Sequence, residues 1–330
     1  MKFFKRVIAL FVILMAILII IDFHKTVTNL WSRVSTVTET LFEHRMTNKA
    51  AEKSLEKLNI QIGTTKNELE QQLGTEQSHS ANEYLTQWHT YHQDYQNFFM
   101  VSYDSQDKVN GWYTNQESFV HQLYENKQAV HDTLGTPLSA ILKGRTNFII
   151  ENNGEYDVYR TDDAFLTIFY DTQQKDTVTA IQVIEQSLEL QKNWLYTVES
   201  PDLIQGFKQQ LFDLTNADRV KQGFSILKQS DQVAETARKH SVDMAQHHYF
   251  AHDNLQGQSP FDRMSADGLT YTQAGENLAY GQPSAIFANE GLMNSPGHRE
   301  NILHPDFTHL GIGVAFNTEN QPYFTENFFR

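Results

Sequence analysis

The stretch MNSPGHRENIL at residues 293–303 carries both a helix start and a candidate functional side chain. Ser295-Pro296 is typical of a helix N-terminus, because serine caps free backbone N–H groups and proline fits the first helical position. His304-Pro305 then ends the helix, since proline cannot continue it. His298 therefore falls in the first turn of a short helix.

Helix and strand patterns surround this stretch on both sides. The predicted elements are, in order, a helix beginning at Ser200-Pro201, a helix from Asp231 to about His248, a helix from Ser259-Pro260 to Gly268, and two tail strands at Leu310–Asn317 and Pro322–Phe328. The second of these helices has a mostly small inner stripe, which allows close approach of neighbouring backbone. Helices that flank a small antiparallel sheet predict an α-β-α layered domain over 200–330.

A series of motifs in this part of the chain resembles, in order, that of the bacterial CAP superfamily (cysteine-rich secretory proteins, antigen 5 and pathogenesis-related 1). The motifs are SVDMA at 241–245, YFAH at 249–252, SPFDRM at 259–264, AGENLA at 274–279, MNSPGHRENIL at 293–303 and LGIGV at 310–314. The resemblance covers roughly residues 205–328. It implies an α-β-α sandwich, the CAP fold, with a cleft lined by two histidines and two glutamates.

The resemblance also assigns cleft residues. His252 matches the first histidine, Glu276 the glutamate of the Gly-Glu-Asn motif, and His298 the second histidine. The second glutamate has no clear counterpart, because no acid stands at 293–295 and Glu290 is out of register. The remaining residues expected around the cleft are Asn277, Ser295, Arg299 and Asn301, with Arg299 and Asn301 bracing the helix that carries His298.

The chemistry of His252, Glu276 and His298 has three interpretations. Two imidazoles and a carboxylate with an open position suit a divalent metal such as zinc. The same side chains could form an acid–base arrangement in which Glu276 orients a histidine. The third interpretation is a hydrogen-bonded cluster that locks three loops together. A helix N-terminus is electropositive and should lower the pKa of a nearby histidine, which favours neutral imidazole.

Two similar segments in the middle of the chain predict a second α+β domain over 58–195. Each has a helical pattern that ends in Leu-Gly, at 73–74 and 134–135, followed by strand-like material that ends in Tyr-Asp. Each unit therefore looks like one helix followed by a few antiparallel strands, with glycine as the helix C-cap. This duplicated region is similar to the CAP-associated N-terminal domain of Gram-positive bacteria. His89 and His92 would share a face if their stretch were helical, which is a weak pattern for a metal site.

The first 25 residues predict a signal anchor. Lys2, Lys5 and Arg6 precede an apolar run from Val7 to Ile21, and positive charge before such a run places the N-terminus inside. No small-residue cleavage site follows the run, so an uncleaved anchor is favoured over a cleaved signal peptide or a buried helix. The prediction is a single-pass cell-membrane protein that contacts the membrane through residues 3–23. Residues 26–57 are then a stalk helix or a mobile linker, and the two domains are extracytoplasmic.

Composition excludes several function classes. The chain has 26 Lys+Arg against 40 Asp+Glu, a formal net charge of −14, which argues against nucleic acid as a partner. It has no cysteine, which excludes disulfides, cysteine-ligated zinc and a thiol nucleophile.

Three functions remain open. The resemblance favours a cell-surface binding module whose His/Glu-lined cleft takes a lipid, a peptide or a wall-derived ligand. The first alternative is a metal-assisted, peptidase-like hydrolase that uses His252, Glu276 and His298. The second alternative is a structural scaffold in which the duplicated domain does the binding.

Overall fold

The computed structural model describes Lys25 and residues 60–330. The predicted anchor at 1–25 and stalk at 26–57 lie outside the described residues, apart from Lys25. None of the described helices combines the length and the apolar character that a membrane crossing needs.

The first domain is built on one antiparallel sheet of seven strands. Its helices are α1 (Lys66–Leu73), α2 (Glu117–Val120), α3 (Lys127–Leu134) and α4 (Gln186–Gln191). Its strands are β1 (Ser78–Ala81), β2 (Gln87–Gln93), β3 (Gln96–Tyr103), β4 (Val109–Thr114), β5 (Ala140–Lys143), β6 (Thr146–Ile149), β7 (Tyr156–Arg160), β8 (Ala164–Asp171) and β9 (Thr177–Glu185). The strand order is β1-β2-β3-β4-β9-β8-β7, and β5 and β6 form a separate hairpin.

The duplicated helix-plus-strands pattern is confirmed. Helix α1 ends at Gly74 with φ 83°, and α3 ends at Gly135 with φ 73°, a conformation that favours glycine. The last strands of the two units, β4 and β9, pair with each other and join both units into the sheet. The interpretation of His89 and His92 as neighbours on one helix face was wrong. His89 and His92 lie on strand β2, where residues three apart point to opposite faces.

The second domain is the predicted α-β-α sandwich. Its elements are α5 (Pro201–Lys221), β10 (Lys228–Gln229), α6 (Asp231–His247), α7 (Pro260–Ala266), β11 (Ala274–Tyr280), α8 (Ala285–Asn294), α9 (Pro296–Ile302), β12 (His309–Phe316) and β13 (Pro322–Phe329). The sheet order is β10-β12-β13-β11. Serine caps α5 and α7 as the sequence indicates, and α7 has a full capping box with Asp262. Ser230 caps α6 in the same way, which was not predicted. Strand β11 and helix α8 were not predicted.

Helices α5 and α6 cover opposite faces of this sheet. Leu310, Ile312 and Val314 point into the same core as the apolar side of α5. The alternating residues Gly311 and Gly313 lie against α6, where a Cβ at either position would come within 2.2 Å of helix backbone. The small inner stripe of α6 thus allows the close approach that the sequence suggests.

One hydrophobic core runs through both domains. Phe207 and Leu211 of α5 pack in the same buried cluster as Trp88 and Phe98 of the first domain. Gly206 of α5 lies so close to β1 that a Cβ there would come within 2.1 Å of a backbone oxygen. Helix α5 is therefore a shared element that is packed against both sheets.

Candidate functional site

Glu276 lies on strand β11 and points into the protein. Strand β11 pairs with β13 over its whole length, with Glu276 opposite Asn327. The Glu276 side chain is 1% exposed. A buried carboxylate requires partners, because an unpaired charge in the interior is costly.

Two side chains supply those partners. His252 Nδ1 lies 3.0 Å from Glu276 Oε1, and Arg263 donates to Glu276 Oε2 at 2.6 Å. Arg263 also donates to the carbonyl of His252 at 2.7 Å, so it holds both the carboxylate and the loop that carries the histidine. The His252 side chain remains 53% exposed. His252 therefore presents its imidazole to solvent, while the buried ion pair of Glu276 and Arg263 holds it in position.

Sequence reasoning missed Arg263. It stands in the quoted motif at 259–264, one residue after the capping aspartate Asp262, which gives α7 a fixed start. The available signal was an arginine on a short, well-capped helix, inside one of the quoted motifs.

His252 and His298 have pKa values displaced in opposite directions. The hydrogen bond to Glu276 is the largest effect on the pKa of His252 and raises it. Burial lowers this pKa in part, and the negative charge of Glu276 raises it further. Burial lowers the pKa of His298, and the charge of His252 lowers it further. The direction expected for His298 agrees, but its main cause is burial and not the helix N-terminus.

Asn277 and Asn301 connect strand β11 to helix α9. Asn277 Nδ2 donates to the carbonyl of His298 at 3.1 Å, and Asn301 Nδ2 donates to Asn277 Oδ1 at 2.9 Å and to the carbonyl of Glu276 at 3.2 Å. These bonds fix the backbone of His298 relative to that of Glu276.

Ser295 and Arg299 take other places. Ser295 is the junction between α8 and α9 and makes no side-chain cap bond. Arg299 was expected to brace the helix around His298. Its guanidinium instead donates to Asp171 of strand β8 at 2.5 Å, so it joins the two domains.

Glu290 also belongs to the contact between the domains. Its carboxylate accepts hydrogen bonds from Tyr113 at 2.6 Å and from Thr179 at 3.1 Å, and both partners lie in the first domain. Burial, assisted by the charge of Asp218, raises the pKa of Glu290 to about 7. Glu290 therefore does not supply the missing second glutamate of the cleft.

A second buried acid, Glu326, lies on strand β13 opposite Asn277 and was missed. Thr215 donates to its Oε1 at 2.8 Å and Asn277 to its Oε2 at 3.0 Å, and burial raises its pKa to about 7. The signal was present, because alternate residues of a strand share a face, and Glu326 falls on the same face of a predicted strand as Phe324 and Phe328.

The zinc hypothesis for the cleft stays a prediction. Both oxygens of Glu276 already have partners, so a metal there would have to displace His252 or Arg263. A different group of potential metal ligands lies in the first domain. Within residues 60–330, Glu76, His79 and His89 are the one set of three histidine, aspartate or glutamate side chains whose ligand atoms all lie within 4.8 Å of one another.

Comparison with known proteins agrees with this architecture. Residues 62–195 match the CAP-associated N-terminal domain model, and residues 212–328 match the model of the cysteine-rich secretory protein family. A crystal structure of an extracellular protein containing an SCP domain from Bacillus anthracis strain Ames superposes with a TM-score of 0.68. It has 25% identity and covers 82% of this chain and 93% of that one.

Two Bacillus subtilis strain 168 proteins share the same kind of sequence. YkwD is 39% identical over 132 residues, which is 40% of this chain and 50% of that protein. YlbC, named as a membrane protein, is 41% identical over 123 residues, which is 37% of this chain and 34% of that protein. The match thus spans half or less of these relatives.

The two family models together cover more than half of the chain. The chain therefore belongs to the bacterial CAP (SCP/PR1-like) superfamily and carries a CAP-associated N-terminal domain ahead of its CAP domain.

Proposed function

We propose that this protein is an extracytoplasmic binding module of the cell surface, whose cleft at His252 and His298 takes a lipid, a peptide or a wall-derived ligand. The observation that carries the proposal is the His252–Glu276–Arg263 arrangement. A buried ion pair holds an imidazole that is itself open to solvent. Such preorganisation lowers the ordering cost of binding.

The protonation states of His252 and His298 determine which chemical groups of a ligand they can bind. His252 is held toward its protonated form, so its free Nε2–H favours an anionic group such as a carboxylate or a phosphate. His298 is held toward its neutral form, in which one ring nitrogen donates a hydrogen bond and the other accepts one. Lipids, peptides and wall fragments all offer such groups.

The proposed location is the outer face of the cell membrane, with residues 3–23 as the anchor. Lys2, Lys5 and Arg6 before the apolar run support this orientation. The B. anthracis protein is described as extracellular and YlbC as a membrane protein, which supports the same placement. Protease treatment of intact cells should release the two domains and leave the first residues in the membrane fraction.

The ligand is tested by extraction and mass spectrometry of the full chain purified in mild detergent. Parent protein should retain a co-purifying anionic molecule that His252→Ala loses, while the control His247→Ala on the exposed side of α6 keeps it. Binding of the extracted molecule should strengthen as the pH falls through the pKa of His252, because the imidazolium is the binding form. Equal retention by parent and His252→Ala would overturn the proposal.

One observation favours acid–base hydrolysis as a second candidate function. Two imidazoles with oppositely displaced pKa values, the charge of one acting on the other, resemble a general acid and a general base. In this case Glu276 would orient His252 and would not bind a metal. Turnover of peptide substrates that is lost in both His252→Ala and His298→Ala, and that survives chelation, would favour this function over binding alone.

A further inference from the structure

Glu76, His79 and His89 form a cluster at the edge of the seven-stranded sheet, which we call the edge cluster. One ligand atom from each residue lies within 4.8 Å of the other two. The cluster belongs to the first domain and shares no residue with the His252–Glu276–His298 cleft.

The scaffold of the edge cluster is a cross-strand histidine pair. His79 on β1 and His89 on β2 are direct partners in the antiparallel register, and their ring centroids are 5.7 Å apart. Directly opposite residues on one face are the closest side-chain neighbours that a sheet offers. Tyr103 on the next strand packs edge-on against His89 at 5.1 Å and fixes its ring.

Glu76 joins the two histidines. It stands just before β1, and its Oε1 lies 3.3 Å from His79 Nδ1 while its Oε2 bonds to His89 Nδ1. Zn–N and Zn–O bonds of about 2.0–2.1 Å place neighbouring ligands of a tetrahedral ion about 3.3 Å apart. The Glu76–His79 distance therefore already equals the edge of a zinc tetrahedron.

Lys66 supplies a cation to the same position. Its Nζ lies 2.8 Å from Glu76 Oε2 and 3.5 Å from His89 Nδ1. Glu70, one helical turn along α1, lies 3.9 Å from the same Nζ and offers a second acidic partner. Lys66 can therefore leave Glu76 by a side-chain rotation without losing its ion pair.

We propose that the edge cluster is a divalent transition-metal site, with zinc as its best-matched ion, and that Lys66 is a built-in competing cation that moves to Glu70 when the metal binds. Two imidazoles and one carboxylate are ligands that zinc prefers, and a fourth position stays open for water. The His79 side chain is 57% exposed, which gives the ion a path to the site.

Metal at this site would connect the segment after α1 to the outer strand of the sheet. Because the ligands come from Glu76 and from two strands, the ion would bind the folded arrangement and not the extended chain. Binding to the native state alone stabilises it by mass action.

The test is zinc titration by calorimetry on the full chain, purified in mild detergent and treated first with a chelator. We expect one tight zinc per chain at the edge cluster. His79→Ala and His89→Ala should each weaken this binding by at least about tenfold, since even an outer-shell partner of a metal is worth about 10–100-fold. Lys66→Met should strengthen it several-fold, because the competing charge is gone. Circular dichroism with chelator checks that each variant is folded.

Controls separate this site from the cleft and from general surface binding. The double variant His252→Ala/His298→Ala should keep the tight zinc, and so should His247→Ala. Tight zinc that survives in His79→Ala and His89→Ala, no tight zinc in the parent, or weaker binding in Lys66→Met would each overturn the proposal. Loss of zinc only in the His252→Ala/His298→Ala variant would overturn it and move the metal to the cleft.

Discussion

Glu276 acts on His252 through one hydrogen bond to a charged oxygen, and that charge can be removed with little change of shape. In Glu276→Gln a neutral amide oxygen replaces the carboxylate, so the hydrogen bond no longer favours the imidazolium as strongly and the attraction of the negative charge is lost; both effects raise the pKa of His252 in the parent protein. We expect the pKa of His252 to fall to or below its ordinary value. NMR titration of the histidine ring signals measures this directly.

The matched control is Glu235→Gln, which removes an exposed acid of α6 that pairs with Arg238. It should leave the His252 titration unchanged. Glu276→Gln should also cost about 1–3 kcal/mol of folding free energy, because Arg263 loses a buried partner. A His252 pKa that is the same in parent and Glu276→Gln would show that the carboxylate does not control the imidazole.

At the scale of single elements, local patterns could be predicted and long-range partners could not. Serine caps and proline at the first helical position are signals within four residues, so the starts of α5 and α7 were predicted correctly. Strand β11 has its pairing partner β13 about fifty residues later in the chain, and it was not predicted. Arg299 shows the same limit, because its partner Asp171 lies in the other domain.

The contact between α6 and β12 provides an element-scale prediction. Gly311→Ala places a Cβ about 2.2 Å from the nitrogen of Ala234, and Gly313→Ala places one 2.2 Å from backbone atoms of Ala237 and Arg238. Backbone atoms cannot rotate away, so α6 must shift. We expect each change to cost about 1–3 kcal/mol or more, as overpacking does in cores.

Urea unfolding of the full chain measures these costs through the transition midpoint. Gly297→Ala is the matched control, since a Cβ there meets nothing within 4 Å. Its effect should stay within about 0.5 kcal/mol, the usual range for surface changes. Equal stability of Gly311→Ala and Gly297→Ala would contradict the close packing of helix on strand.

At the scale of the whole molecule, the two domains are joined by a buried interface with polar contacts. Asn115 donates to Asp218 at 2.9 Å, and Tyr113 donates to Glu290 at 2.6 Å. The sequence predicted two domains and their order, but it contains no local signal for the packing of α5 against both sheets. Arrangements of this kind depend on surfaces that only the folded chain brings together.

The interface makes the free energy of unfolding depend on pH, and the pKa of Glu290 decides whether stability rises or falls with pH. Burial raises its pKa to about 7 in the folded protein, above the ordinary value of 4.5. The folded state therefore binds the proton more tightly than the unfolded state. This contribution to stability is fully present below pH 4.5 and is lost as the pH rises through about 7. Each unit of pKa displacement corresponds to about 1.4 kcal/mol.

Glu290→Gln keeps the hydrogen bond from Tyr113 and cannot ionise. We expect the parent chain to lose unfolding free energy between pH 5 and pH 8, and Glu290→Gln to lose distinctly less, so that the variant gains relative to the parent as the pH rises. Urea unfolding at several pH values measures both curves. Glu326, whose pKa burial also raises to about 7, keeps its contribution in both proteins, so the difference between the curves reports Glu290 alone. Parallel curves for the two proteins would mean that Glu290 ionises freely in the folded state, and the buried contact between the domains would then be wrong.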